Sequence, residues 1–322
     1  ATCIASAIAC FLMAFLANYP IALAPGMGQN FFYGLIVAGF VSVGAAITWR
    51  EAMGIIFISG VVFIVLSIFK FRETIVNAIP RSMKNAIAMG IGLLIAFIGF
   101  TNAGIVVKAP SEGAYVQMGN LLTPQVAVAA VGLFVMAVLM VLEVRGGMLI
   151  GILCAAAAAF LFGLTDFSGV VSVPDFGSLS NTAFELNIAG ALQAGLVTVI
   201  VVFVLMDLFD TVGTVVGVAE RAGMTDEEGR LPRVGRALLS DAIGTTVGAL
   251  LGTTTVTSYI ESATGVQQGG RTGMTAAVVG VLFLAAMFLA PLMNMVTGCT
   301  AITAPALILV GVMMAAGALR IN

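Results

Sequence analysis

MDLFDTVGTVVG, residues 206–217, follows an uncharged apolar run from Leu196 to Leu205 and carries two carboxylates, Asp207 and Asp210, three residues apart. On a helix that spacing puts both acids on one face. A second stretch, GTTTVTSYIESATG at 252–265, adds Glu261. Both stretches lie where a membrane span is expected. An acid at bilayer depth is costly, and it faces a bundle interior or a solute path rather than lipid. The two stretches therefore point to a helical membrane protein and make these three acids the first candidates for function.

Composition extends that reading to the whole chain. Its 322 residues are 61% hydrophobic and 9% charged, with a mean hydropathy of +1.15. Soluble domains carry about a quarter charged residues, so the chain reads as an all-α polytopic membrane protein. Its 38 glycines suit close helix packing in lipid. A net charge of −2 leaves no nucleic-acid reading. Cys3, Cys10, Cys154 and Cys299 fall in apolar runs without a CxxC pair, and read as small buried residues rather than metal ligands or disulfide partners. There is no His, so proton chemistry falls to carboxylates, and no cofactor or metal is expected. The sequence starts with Ala in mid-span and shows no signal peptide, so a fragment is expected.

Eleven segments follow from the apolar pattern: 1–17, 18–43, 51–69, 82–103, 124–142, 146–164, 188–216, 237–252, 253–268, 272–294 and 300–319. With the loop at 70–84 cytoplasmic, alternation puts eleven of the thirteen basic residues on that side, leaving only Arg50 and Lys108 opposite. Two segments cannot be unbroken helices. The first, 18–43, holds Pro20, Pro25, Gly26 and Gly28 in its first half, with a helix expected from about Gly28 to Asn30 through Val43. The second is 253–268. Broken spans at corresponding places in two halves mark a transporter site. Seven intervals separate this pair, an odd offset that reverses direction, as an inverted repeat of seven spans requires. On that count eleven of fourteen spans are present, one lacking at the front and two at the back.

Unwound backbone at mid-membrane frees N–H groups, and a restarted helix adds partial positive charge. Ser258 to Glu261 lies where the second helix restarts, and Asn30 holds the matching place in the first. An Asn amide can read a heterocycle edge, or it can cap the helix. Glu261, desolvated there, can exchange protons or hold freed backbone. Asp210, beside Thr211 and Gly213, ranks above Asp207, its partner one turn away. Asp241 reads as structural, bonding the broken segment. Phe31, Phe32, Phe209 and Tyr259 flank the acids and together could sandwich a flat ring.

With these residues in view, the chain is similar to the hypoxanthine/guanine permeases of the azaguanine-resistance type, within the nucleobase–cation symporter superfamily. The resemblance rests on ALAPGMGQNFF (22–32), VNAIPRSMKNAIAMGIG (76–92), IGFTNAGIV (98–106), DLFDTVGTVVGVA (207–219), SDAIGTTVGALLGTTTVTSYIESATGVQQGGRTG (240–273) and FLAPL (288–292). It implies the uracil-permease-like fold: inverted seven-span repeats forming core and gate domains, with short extended segments in two broken spans. The implied division is core 1–75 (first repeat, partial), gate 76–187, core 188–295 and gate 296–322 (partial). The implied substrate-binding residues are Asn30, Phe31, Asp210, Tyr259, Ile260 and Glu261, with Asp207, Asp210 and Glu261 coupling an ion. Asp241 and Gln29 are structural polar residues. Where relatives commonly carry Leu or Ala, Gln29 is a polar change able to alter base preference.

The resemblance implies a secondary active transporter rather than an enzyme, a multi-pass protein of the cell membrane. Its expected partners are a purine nucleobase (guanine, hypoxanthine, adenine or xanthine), a proton or sodium as coupling ion, and the lipid bilayer, with a homodimer left open. An anion carrier of the same architecture is the first alternative, but such sites place a cation or neutral group near the anion. An intramembrane aspartyl enzyme is the second, but it needs acids on facing helices, whereas Asp207 and Asp210 share one. A channel would need four like-placed filter loops.

Overall fold

The computed structural model describes residues 1–39, 47–68, 81–109, 115–142, 144, 146–165, 169–174, 176–192, 196–224, 231 and 233–318. Lys70, Arg72, Arg145, Arg230, Arg320 and the stretch 40–43 lie outside them. The chain divides into two compact units, Ala1–Lys84 with Pro174–Met287, and Asn85–Val173 with Phe288–Asn322.

In the first unit α1 (Thr2–Leu12) continues as a π-helical turn, Met13–Ala17, and ends at Asn18 in the left-handed region. Strand β1 (Leu23–Pro25) follows, then α2 (Met27–Val37) and α3 (Trp49–Ile68). After the second unit's segment the chain re-enters through a 3₁₀ turn (Ser178–Asn181), the one-turn α7 (Ile188–Ala191) and the long α8 (Val197–Ala222). Then come α9 (Val234–Leu251), β4 (Val256–Ser258), α10 (Ser262–Gln267) and α11 (Gly273–Ala286). Small residues let these helices approach closely. A Cβ on Gly273 would meet Ala14, one on Gly280 the Phe11 ring, and one on Gly60 Thr246 of α9. Asn18 also caps α11, its Oδ1 accepting from Gly273 N at 2.8 Å. The core beneath the site is closed by Tyr19, Ile21 and Leu23, all fully buried.

The second unit holds α4 (Arg81–Asn102), a short hairpin of β2 (Val106–Lys108) and β3 (Val116–Met118), α5 (Pro124–Val141) and α6 (Gly147–Leu161). It ends with α12 (Ala290–Gly298) and α13 (Ala304–Ala318). Thr123 caps α5 by accepting from Val126 N, and Pro124 starts it, where its missing N–H costs nothing. Gly99 and Gly311 bring α4 and α13 into backbone contact.

Among the described residues five helices are long and apolar enough to cross a membrane, and shorter apolar helices accompany them. Two expected spans differ. The helix expected from about Gly28 to Asn30 through Val43 ends at Val37, where the chain turns at Ala38 and Gly39, the latter at φ +75°. Residues 188–216 were expected as one helix, but α7 and α8 are separate. Asn187 accepts from Gly190 N at 2.9 Å, starting a single turn, and its own N–H donates to Arg50 O at 2.9 Å. Gly190 packs on Glu51, so this turn is tied to the start of α3 instead of extending into α8. The apolar run conceals that break. Helix α8 also continues to Ala222, past the expected end at 216.

Candidate functional site

The two broken segments pair with each other. β1 and β4 lie antiparallel in register, Leu23 with Ser258, Ala24 with Thr257 and Pro25 with Val256. The ladder is extended at both ends, by Gly26 N donating to Thr255 O and Tyr259 N donating to Ala22 O, each at 2.9 Å. This is how extended backbone survives at membrane depth: its polar groups must be satisfied inside the protein. Pro25 supplies no donor and Gly26 is extended (φ −63°, ψ 127°), so α2 starts immediately after the strand, at Met27. In the second segment the helix restarts at Ser262, later than expected, leaving Tyr259, Ile260 and Glu261 in the turn between strand and helix.

Two helices, α8 and α9, brace this crossing through hydroxyls and acids. Asp241 on α9 is fully buried; its Oδ1 accepts from Ser258 at 3.0 Å and its Oδ2 from Thr211 of α8 at 2.7 Å. Thr211 also meets Thr257 at 3.1 Å. Asp207, 2% exposed, accepts from Thr245 at 3.4 Å, and Thr245 donates to Val256 O at 2.9 Å. Asp241 thus ties both α8 and α9 to the strand.

Asp210, one turn from Asp207, is half-buried and faces the first broken segment, where Gln29 Nε2 donates to its Oδ2 at 3.3 Å. Glu261 is half-buried and, with Tyr259, close enough to Asp210 for their charges to interact. The Tyr259 hydroxyl donates to Pro25 O, fixing the ring over β1. The structure thus brings Gln29, Asp210, Tyr259 and Glu261 to one place. Asn30 points differently, since the next residue on a helix is turned by 100°. It is exposed, and its Oδ1 accepts from the Thr254 hydroxyl. Ile260 is half-buried in the turn, and Phe31 lies on α2 with its side chain outside the described residues.

The expected aromatic sandwich is not assembled as a group. Phe32 packs against Phe203, with ring centroids 5.4 Å apart, and Phe209 joins Phe63, Leu208 and Ala242 in an apolar cluster. Sequence reasoning missed the hydroxyl partners Thr211, Thr245, Thr254 and Ser258. For Thr254 and Ser258 the signal was present in the density of Thr and Ser from 253 to 258, polar side chains that must be satisfied in lipid.

A half-buried pair of acids, Asp210 on a membrane-crossing helix and Glu261 in the turn after β4, lies beside paired, unwound backbone. The chain belongs to the permease family, which matches residues 1–322. It is 45% identical over 328 residues to the guanine/hypoxanthine permease PbuO of Bacillus subtilis, covering 100% of this chain and 74% of that protein. It is 39% identical over 321 residues to the adenine permease AdeP of Escherichia coli, covering 100% and 70%. Its fold is similar to the transmembrane domain of the cyanobacterial bicarbonate transporter BicA, with a TM-score of 0.73 at 15% identity over 98% of this chain and 84% of that one. It is a multi-pass protein of the cell membrane.

Proposed function

We propose that this chain takes up purine nucleobases by secondary active transport, with the proton as coupling ion. Two named relatives support the solute: a guanine/hypoxanthine permease at 45% identity and an adenine permease at 39%. The observation that carries the reading at the site is the convergence of Asp210, Glu261, Tyr259 and Gln29 beside the β1–β4 crossing. A neutral purine presents several donors and acceptors but no charge that would require two acids. Asp210 and Glu261 both face the solute's N–H edge, and both take part in exchanging the coupling proton. In this reading Asn30, Phe31, Tyr259 and Ile260 line the solute, Asp207 supports Asp210, and Asp241 holds the frame. Residues 1–75 and 188–295 form the solute-holding core of inverted repeats, and 76–187 with 296–322 form the gate.

The shared fold with a bicarbonate transporter makes anion carriage the competing reading. Two carboxylates facing the site oppose it, because like charges that close cost free energy. Uptake of labelled guanine, hypoxanthine, adenine, xanthine and bicarbonate into cells lacking their own purine permeases tests the proposal. Saturable accumulation of at least one purine is expected. Bicarbonate uptake with none of the purines transported would replace this reading with the anion carrier.

A further inference from the structure

Gln29 carries more than the sequence suggested. It is 2% exposed, in the first turn of α2, and its amide is only half used. Nε2 donates to Asp210, whereas Oε1 is fully buried and has no hydrogen-bond partner among the described residues. A buried acceptor without a partner is costly and is rarely retained without a role. The amide sits where a side chain at position 26 would be. A Cβ on Gly26 would lie 1.7 Å from Gln29 Oε1 and 2.8 Å from Thr257 Cγ2. Gly26 therefore keeps a slot open for this amide, at a φ that alanine tolerates equally well.

The chemistry of the pair suggests what the spare acceptor does. An ionised carboxylate only accepts, and a protonated one also donates. A Gln amide offers a donor on one side and an acceptor on the other, exchanged by a half-turn about its last bond. We propose that Gln29 is the positioning residue of the coupling acid, its Nε2 holding Asp210 when ionised and its Oε1 accepting from Asp210 when protonated. Asp210 then keeps a buried partner through both halves of a transport cycle, and its charge state is read by which side of the amide it meets. Among the described residues, Glu261 and Tyr259 are the other titratable groups that interact with Asp210, and Asp207 lies one turn away on α8. Glu261 cannot alternate donor and acceptor without changing its own protonation, and the Tyr259 hydroxyl proton is already donated to Pro25 O. This inference rests on the proposed coupling role of Asp210.

Two variants remove the amide by different routes. Gln29→Met deletes its hydrogen bonds at similar size, and Gly26→Ala leaves Gln29 intact but fills its slot. In vesicles, both are expected to lose about tenfold in gradient-driven purine accumulation, with purine exchange at equal concentrations retained. A residue that merely supports the fold would depress both activities together, and a solute-contacting residue would depress exchange first. Either pattern, or full accumulation by Gln29→Met, overturns the proposal. A melting-temperature cycle in detergent needs no solute and so stands even if purine transport fails. Gln29→Met should lower the melting temperature of the parent protein and have no further effect in an Asp210→Ala background. Equal lowering in both backgrounds shows that Gln29 acts independently of Asp210.

Discussion

Among the described residues there are two antiparallel strand pairs of three residues each, and their surroundings are opposite. β1 and β4 meet from positions more than two hundred residues apart, and β4 is wholly buried. β2 and β3 belong to one local hairpin, and every residue of β3 is exposed. The same backbone pattern therefore does two jobs. In the hairpin, water can replace any bond that opens. At the β1–β4 crossing nothing can, so each residue of β4 is fastened by hydroxyls and acids on α8 and α9, and β1 is held through its pairing with β4. What makes a short sheet functional here is the number of buried groups whose satisfaction depends on it.

That contrast can be pressed by substitution. The largest effect is expected from Glu261→Gln, which keeps size and loses the exchangeable charge. Accumulation of purine should fall to background at normal protein level, measured as uptake against membrane content, and unchanged concentrative uptake would remove Glu261 from coupling. Asp241→Ala comes next. It leaves Thr211 and Ser258 without their acceptor, and the loss should be about 2–4 kcal/mol, read as thermal unfolding in detergent. Asn30→Ala should weaken purine affinity by about ten- to hundredfold through one lost hydrogen bond in the site. A drop in stability with unchanged affinity would make Asn30 only a tie to Thr254. The smallest effect belongs to the other strand pair: Met118→Ala, on the exposed hairpin, should change stability by less than about 0.5 kcal/mol. If it cost as much as Asp241→Ala, the contrast between the two pairs would fail.

Much of this was legible in the sequence, for physical reasons. Apolar runs predict spans because a bilayer tolerates little else, and most helices begin or end within a few residues of expectation. Pro20, Pro25, Gly26 and Gly28 announced a broken segment, and the acids in apolar context announced a site. Partner identity was not legible. The pairing of β1 with β4 joins segments 233 positions apart (Leu23 with Ser258, Pro25 with Val256, Ala24 with Thr257 between them), and no local pattern encodes that register. Nor could sequence say that Gln29 rather than Asn30 meets Asp210, since that depends on a 100° step of α2 and on the slot at Gly26. The α7–α8 break was hidden because the turn is fixed by Asn187 and Glu51, outside the apolar run. Phe209 and Phe32 looked like ring-stacking candidates but pack against other helices, a choice set by tertiary contact alone.

The central claim is that Asp210, held at this crossing, couples proton entry to purine uptake. It is tested most directly in vesicles carrying the parent protein or Asp210→Asn, supplied with labelled purine under an imposed inward proton gradient. The parent should accumulate purine above equilibrium and lose that accumulation on adding a protonophore, while Asp210→Asn should exchange purine but never concentrate it. Accumulation that follows a sodium gradient without regard to pH, or normal uphill transport by Asp210→Asn, would contradict the claim.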